Sequence, residues 1–191
     1  MKRITVCNQK GGAGKTTLTM LLATSLAKAG HTVGIIDLDP QGTSTDWLNN
    51  LPSPEENLSL AEDGGSYDVI FYDTPPALGD TLAEALQESD IAVIVSSPSP
   101  ADLWSTQKTV SFVDEHLPEN GKRCLLFNKV NAQNTFGKNL ESMGELIGVK
   151  PLSMFIPNYT AYQKAVLLGW SALGPKERDP VLHTAIAILG L

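Results

Sequence analysis

Ten consecutive residues, Asn8-Gln9-Lys10-Gly11-Gly12-Ala13-Gly14-Lys15-Thr16-Thr17, have the types and spacing of a phosphate cradle. Gly11, Gly12 and Gly14 permit positive φ and a close backbone approach, so that successive N–H groups, including that of Ala13, can converge on phosphate oxygens. Lys15 supplies a point charge for β- and γ-phosphates, and the Thr16 hydroxyl suits Mg²⁺. Thr17 is placed to donate to an α-phosphate, and the positive end of the following helix adds to the field. The strict pattern G-x-x-x-x-G-K-[ST] asks for glycine at position 9, where this chain has Gln9, and the chain carries an additional lysine, Lys10. A plain strand-to-helix glycine turn has no need of Lys-Thr-Thr at its exit.

Two acidic segments complete the chemistry. Asp37-Leu38-Asp39-Pro40-Gln41-Gly42 closes one apolar run, and Asp73-Thr74-Pro75-Pro76 closes another, Val69-Ile70-Phe71-Tyr72. In a parallel sheet the carboxyl ends of strands gather on the edge where a phosphate loop also lies, so Asp37, Asp39 and Asp73 are expected to face one ligand. An aspartate ending such a strand can hold Mg²⁺, commonly through water. Alternating aspartates in a turn can instead cap a helix, and Asp39 before Pro40 would suit that too.

The elements that must position these residues follow from the apolar pattern. Ile4–Cys7, Thr32–Asp37, Asp68–Asp73, Ile91–Ser96 and Arg123–Asn128 read as buried parallel strands ending in polar residues. Between them, Thr16–Ala29 places Leu18, Leu21, Leu22 and Leu26 at helical spacing before Gly30. Further helices are expected over 43–50, 81–88, 101–116, 136–147 and 161–168, with a last one beginning near Asp179. Leu51–Ser66, with Pro52, Pro54, Gly64 and Gly65, reads as a loop. The alternation predicts one doubly wound α/β domain over residues 1–191, a mostly parallel sheet with helices on both faces.

Composition narrows the function classes. With 14 basic against 21 acidic residues the net charge is −7, which argues against a surface that coats DNA generally but permits a local basic patch. Cys7 and Cys124 lack metal-ligand spacing and suit small buried groups in a reducing cytoplasm. No run approaches the roughly 18 apolar residues of a membrane span, and Met1-Lys2 leads directly into a strand, so a cytoplasmic protein without a membrane partner is expected.

Lys-Gly-Gly-Ala-Gly-Lys-Thr-Thr resembles the deviant Walker A box of the ParA/MinD family of P-loop NTPases, and the resemblance extends from residue 3 to about residue 172. The short stretch from Asp37 to Asp73 is most similar to the compact, ParF-like ParA subgroup. The resemblance implies that Lys10 crosses to a partner subunit's nucleotide, as an arginine finger does. Asp37-Leu38-Asp39-Pro40 is similar to switch I, in which Asp39 would orient or polarise the attacking water while Asp37 supports the lysine and the Mg²⁺ shell. Asp73-Thr74-Pro75-Pro76 is similar to switch II. Asn128-Lys129 resembles the place where the family reads the base, and Ile156-Pro157-Asn158 the loop that closes over adenine.

What the resemblance implies is an Mg²⁺-dependent positioning ATPase with weak basal turnover. ATP would bridge a homodimer that holds nonspecific DNA on the nucleoid, and a ParB-like adaptor on the cargo would stimulate hydrolysis. One departure bears on DNA: where larger relatives carry arginines after Pro-Asn, this chain has Tyr159-Thr160-Ala161-Tyr162-Gln163-Lys164, leaving Lys164, Lys176 and Arg178 as the nearest cations. Three other readings have weaker support. A dethiobiotin-synthetase-like enzyme would need a second substrate pocket, a membrane-oscillating relative would want a basic amphipathic C-terminus, and an iron–sulfur scaffold ATPase would need paired cysteines.

Overall fold

The computed structural model describes residues 1–191, apart from the side chain of Phe136. Six strands form one parallel sheet in the order β3-β2-β4-β1-β5-β6. Strand β1 (Lys2–Cys7) lies at its centre and leads through the glycine loop into α1 (Lys15–Lys28), which crosses over β4 to reach β2 (Val33–Asp37). Helix α2 (Thr43–Asn50) precedes the edge strand β3 (Leu58–Leu60), and β4 (Val69–Asp73) then returns beside β1. From there the chain moves the other way, through α3 (Asp80–Gln87), β5 (Ile91–Ser96), α4 (Pro100–His116) and β6 (Lys122–Phe127). The reversal next to β1 puts the glycine loop in the crevice where an open α/β sheet binds ligands.

The central strands read as unbroken apolar runs because both faces are covered; every residue of β4 and β5 is buried. Helix α1 also buries most of its surface, being enclosed by the sheet and by α2, α7 (Thr160–Leu168) and α8 (Pro175–Leu189). Its Leu18, Leu22 and Leu26 join Ile4, Val6 and Phe71 in one core layer. Leu82, Leu86, Leu103 and Val113 of α3 and α4 form the opposite layer with Ile94 and Phe127. The framework of β1, α1, β4 and β5 is therefore stiff where it enters the loop.

Three segments differ from their sequence-based reading. The stretch 51–66 contains β3, which pairs with β2 over three residues, too few for strand periodicity to register. The region 136–147 is two short helices, α5 (Thr135–Lys138) and α6 (Leu140–Glu145), parted at the non-helical Asn139. The last helix starts at Pro175 rather than near Asp179, because the Glu177 carboxylate accepts the Gly174 N–H at 3.0 Å and opens the helix one turn earlier; Pro180 falls inside it. No helix among the described residues is long and apolar enough to cross a membrane.

Because Leu22 is fully buried at the middle of the most enclosed helix, Leu22→Ala is expected to destabilise the chain by about 2–5 kcal/mol. Urea unfolding checks this; a loss under about 1 kcal/mol would mean that α1 is packed more loosely than described.

Candidate functional site

The loop between β1 and α1 takes its form from two glycines: Gly12 has φ +76° and Gly14 has φ +96°, conformations that side chains resist, whereas Gly11, expected to share that role, has no positive φ and open space where a Cβ would stand. Gly14 also caps α1, and a Cβ on it would strike the Asn128 amide, which donates to the Ala13 carbonyl at 2.9 Å. Position 9 does not need glycine because its side chain is used. Gln9 Nε2 donates to the Ser105 carbonyl at 2.6 Å and the Gln9 backbone N–H to Thr109 Oγ1 at 3.2 Å, both on α4. Buried Asn8 donates to Thr106 Oγ1 at 3.0 Å and accepts the Lys10 N–H at 2.8 Å. The deviant part of the loop is thus braced against α4.

Lys15 is buried, and burial lowers its pKa against the opposing pull of Asp73 and Asp39. Next to it, Thr16 Oγ1 donates to Asp73 Oδ1 at 3.2 Å. Asp73 has no exposed surface, and its Oδ2 is without a hydrogen-bond partner, as is the hydroxyl of neighbouring Ser44. Burial, with Asp37 adding a like charge, pushes the Asp73 carboxyl up to about 6, against the Thr16 hydrogen bond and Lys15. A buried carboxylate oxygen lacking a partner, beside a threonine hydroxyl, is a hard-oxygen donor set that fits Mg²⁺.

Asp37 and Asp73 are register partners at the ends of β2 and β4. The two oxygens of Asp37 accept the Asp39 N–H at 3.2 Å and the Thr45 N–H at 2.9 Å. Asp37 therefore holds the acidic turn and the first turn of α2. Asp39 Oδ1 accepts the Gln41 N–H at 3.0 Å, and Gly42 at φ +64° closes the turn.

Lys10 lies on the outer side of the loop, where its ammonium pairs with the Asp102 carboxylate at the start of α4; the other Asp102 oxygen accepts from Ser97 Oγ. On the opposite side, a cavity of about 230 Å³ opens between Thr17, Asn128, Pro157 and Tyr159. The Asn128 and Pro157 segments are joined, since the Val130 N–H donates to Ile156 O and the Asn158 N–H to Val130 O, each at 3.0 Å. Gly11, Gly12, Ala13, Gly14, Lys15, Thr16 and Thr17 are thus assembled with Asp37, Asp39, Asp73, Asn128 and Pro157 at one sheet edge.

The three cations considered for DNA are not equally available. Lys176 lies over the Tyr159 ring at 5.3 Å, and Arg178 lies over Trp170 at 5.9 Å while donating to the Trp170 and Ser171 carbonyls. Lys164 is exposed on α7. Cys7 and Cys124 are free and buried, with thiols pushed up to about 12 by burial. Sequence reasoning missed Asn8, Asp102 and the bracing use of Gln9. A polar pair before Lys10 was the available signal for the braces, whereas Asp102 carries no local signal at all.

The CobQ/CobB/MinD/ParA nucleotide binding domain matches residues 4–169. Maintenance of carboxysome distribution protein A from Gloeobacter kilaueensis is 34% identical, covering 89% of this chain and 83% of that protein. The protein of the same name from Halothiobacillus neapolitanus is 29% identical, covering 92% and 89% respectively. Among solved structures, the ATP complex of a Cyanothece McdA variant superposes with a TM-score of 0.81 at 17% identity, covering 100% of this chain and 97% of that one.

The raised pKa of Asp73 sets a pH dependence. The folded carboxyl keeps its proton to about pH 6 and the unfolded one only to about 3.8, so the folded state binds more protons in that window and ligand-free stability falls as pH rises through it. Asp73→Asn is expected to be more stable than the parent by about 1–3 kcal/mol at pH 7.5, with the gain gone at pH 4. Urea unfolding at the two pH values without nucleotide or metal checks this; an equal effect at both would remove the charge from the account.

Proposed function

Since the chain belongs to the CobQ/CobB/MinD/ParA nucleotide-binding family, we propose that it is an Mg²⁺-dependent positioning ATPase whose two copies close around ATP. The observation that carries this reading is the cluster of buried Lys15 and Asp73 with half-buried Thr16, in which an unpartnered Asp73 oxygen asks for a cation beneath a loop built for phosphate. ATP as the nucleotide is supported by the ATP-bound McdA variant of the same fold. Bound at Thr16 and Asp73, Mg²⁺ would neutralise phosphate charge during transfer.

The chain's own residues have separable tasks. Loop N–H groups and Lys15 bind and orient the β- and γ-phosphates, and Thr17 takes the α-phosphate. Asp39, held by Asp37 and by its own turn, orients the attacking water. Asn128 and Pro157 border the base. Lys10 completes the γ-phosphate site of a second copy, which requires it to leave Asp102. With Lys10 46% exposed, an ion pair of that kind contributes about 0–1 kcal/mol, so its release is a small obstacle beside new contacts to a triphosphate.

The differential energy of such a switch comes from contacts that exist only while the γ-phosphate is present. Hydrolysis then works as a timer for a dimer that holds a cargo through an adaptor protein. The two relatives named for carboxysome distribution support positioning as the task. Nonspecific DNA is the proposed track, contacted through Lys164 of each copy with smaller contributions from Lys176 and Arg178. Binding that rests on so few cations weakens steeply with salt.

The test is a set of three variants. Lys15→Ala is expected to bind ATP at least about 100-fold more weakly by fluorescent-nucleotide titration. Lys10→Ala is expected to bind ATP normally, remain monomeric in sedimentation with ATP and Mg²⁺, and turn over about 10³-fold more slowly. Asp39→Ala should accumulate as an ATP-bound dimer without releasing phosphate. Parent-like turnover in Lys10→Ala would sink the two-copy site.

A further inference from the structure

The base-side segment grips the phosphate loop more closely than its proposed role of bordering a base requires. Among the described residues, Lys129 is the one non-glycine residue with positive φ, at 56°. The Asn128 Oδ1 accepts the Lys129 N–H at 2.8 Å, and the left-handed turn sends the Lys129 side chain back over the loop. There its Nζ donates to the Gly12 carbonyl at 2.7 Å, while Asn128 Nδ2 donates to the Ala13 carbonyl. Lys129 borders both the base-side cavity and a second one, of about 180 Å³, on the Lys10 side.

These two bonds fix two successive peptides of the loop. A peptide unit is planar and trans, so holding its carbonyl on one side turns its N–H to the other. Lys129 thereby sets the Ala13 N–H and Asn128 the Gly14 N–H. Steric packing does not hold Gly12, since a Cβ built there would meet nothing within 4 Å, and a glycine peptide at that position is otherwise free to rotate. A lysine in the left-handed region is strained, and such strain persists where the surroundings fix it for a purpose.

We infer that Lys129 is a nucleotide-positioning residue: its ammonium sets the Gly12–Ala13 peptide so that the loop is ready for phosphate, and its stem forms the partition between the base cavity and the Lys10 side. This rests on the nucleotide site proposed above and adds a residue to it. All partners of the strap belong to the chain itself, so it can set the loop's N–H groups for phosphate.

Three substitutions test it, with the parent chain's ATP affinity measured first. Lys129→Gly removes the strap and the backbone strain together, so the ligand-free protein is expected to melt no lower than the parent while ATP affinity falls about tenfold. Lys129→Met keeps a stem of similar length without the charge and should lose comparable affinity, and Lys129→Arg, which can still donate to a carbonyl, should recover most of it. Amide exchange of Ala13 in the ligand-free chain should rise in the first two variants. Parent-like affinity in Lys129→Gly would overturn the inference while leaving the nucleotide site standing. Parallel losses of melting temperature and affinity that arginine does not rescue would reduce Lys129 to a structural role. A parent chain that binds no ATP would overturn the site itself.

Discussion

Lys15 and Asp73 are buried side by side beneath a glycine loop, and the chain does not neutralise the charge this creates. Burial drives Lys15 and Asp73 toward their neutral forms, lowering one pKa and raising the other, while their mutual attraction only partly opposes it. Buried charges are held well only when every donor and acceptor is satisfied, and Asp73 Oδ2 is not. The rest of the structure either maintains that arrangement or gives a ligand access to it. The proposed polyanion with its divalent cation would supply the charges and oxygens these groups lack, which would make ligand binding and local stabilisation one event.

Maintaining the arrangement is the work of elements distant in sequence. The loop is gripped on one flank by α4, through Asn8 and Gln9, and on the other by Asn128 and Lys129 after β6. Glycine gives the loop its shape but no rigidity, and these side chains supply the rigidity. Both flanks belong to the half of the sheet on the β5 side of β1. The acidic turn belongs to the other half, where Asp37 ties Asp39 to the start of α2. The crevice between halves is thus braced on one side and carries a compact, side-chain-held turn on the other.

Lys10 stands apart from this economy of buried groups. Its pairing with Asp102 is half exposed and weak, so breaking it costs little. Burial strengthens the interactions of Lys15 and Asp73; the group proposed to act between copies is left in water, where it can move.

The sequence by itself determined the strand–loop–helix unit at residues 4–29, two of the three loop glycines read as needing positive φ, the acids at the ends of β2 and β4, and the doubly wound fold, because each is written in spacing over a few residues or in a repeated apolar period. It did not determine β3, a strand too short for a period, nor the early start of α8, set by one side chain folding back on Gly174. Only the tertiary structure decided that Asp102 holds Lys10 and that Asn128 and Lys129 hold the loop, contacts 92, 115 and 117 residues apart in the chain. Local patterns are fixed by backbone geometry and can be read along the chain. Contacts of that range exist because the strand order sets β1 beside β5 and β5 beside β6, an arrangement of the whole core that no short stretch encodes.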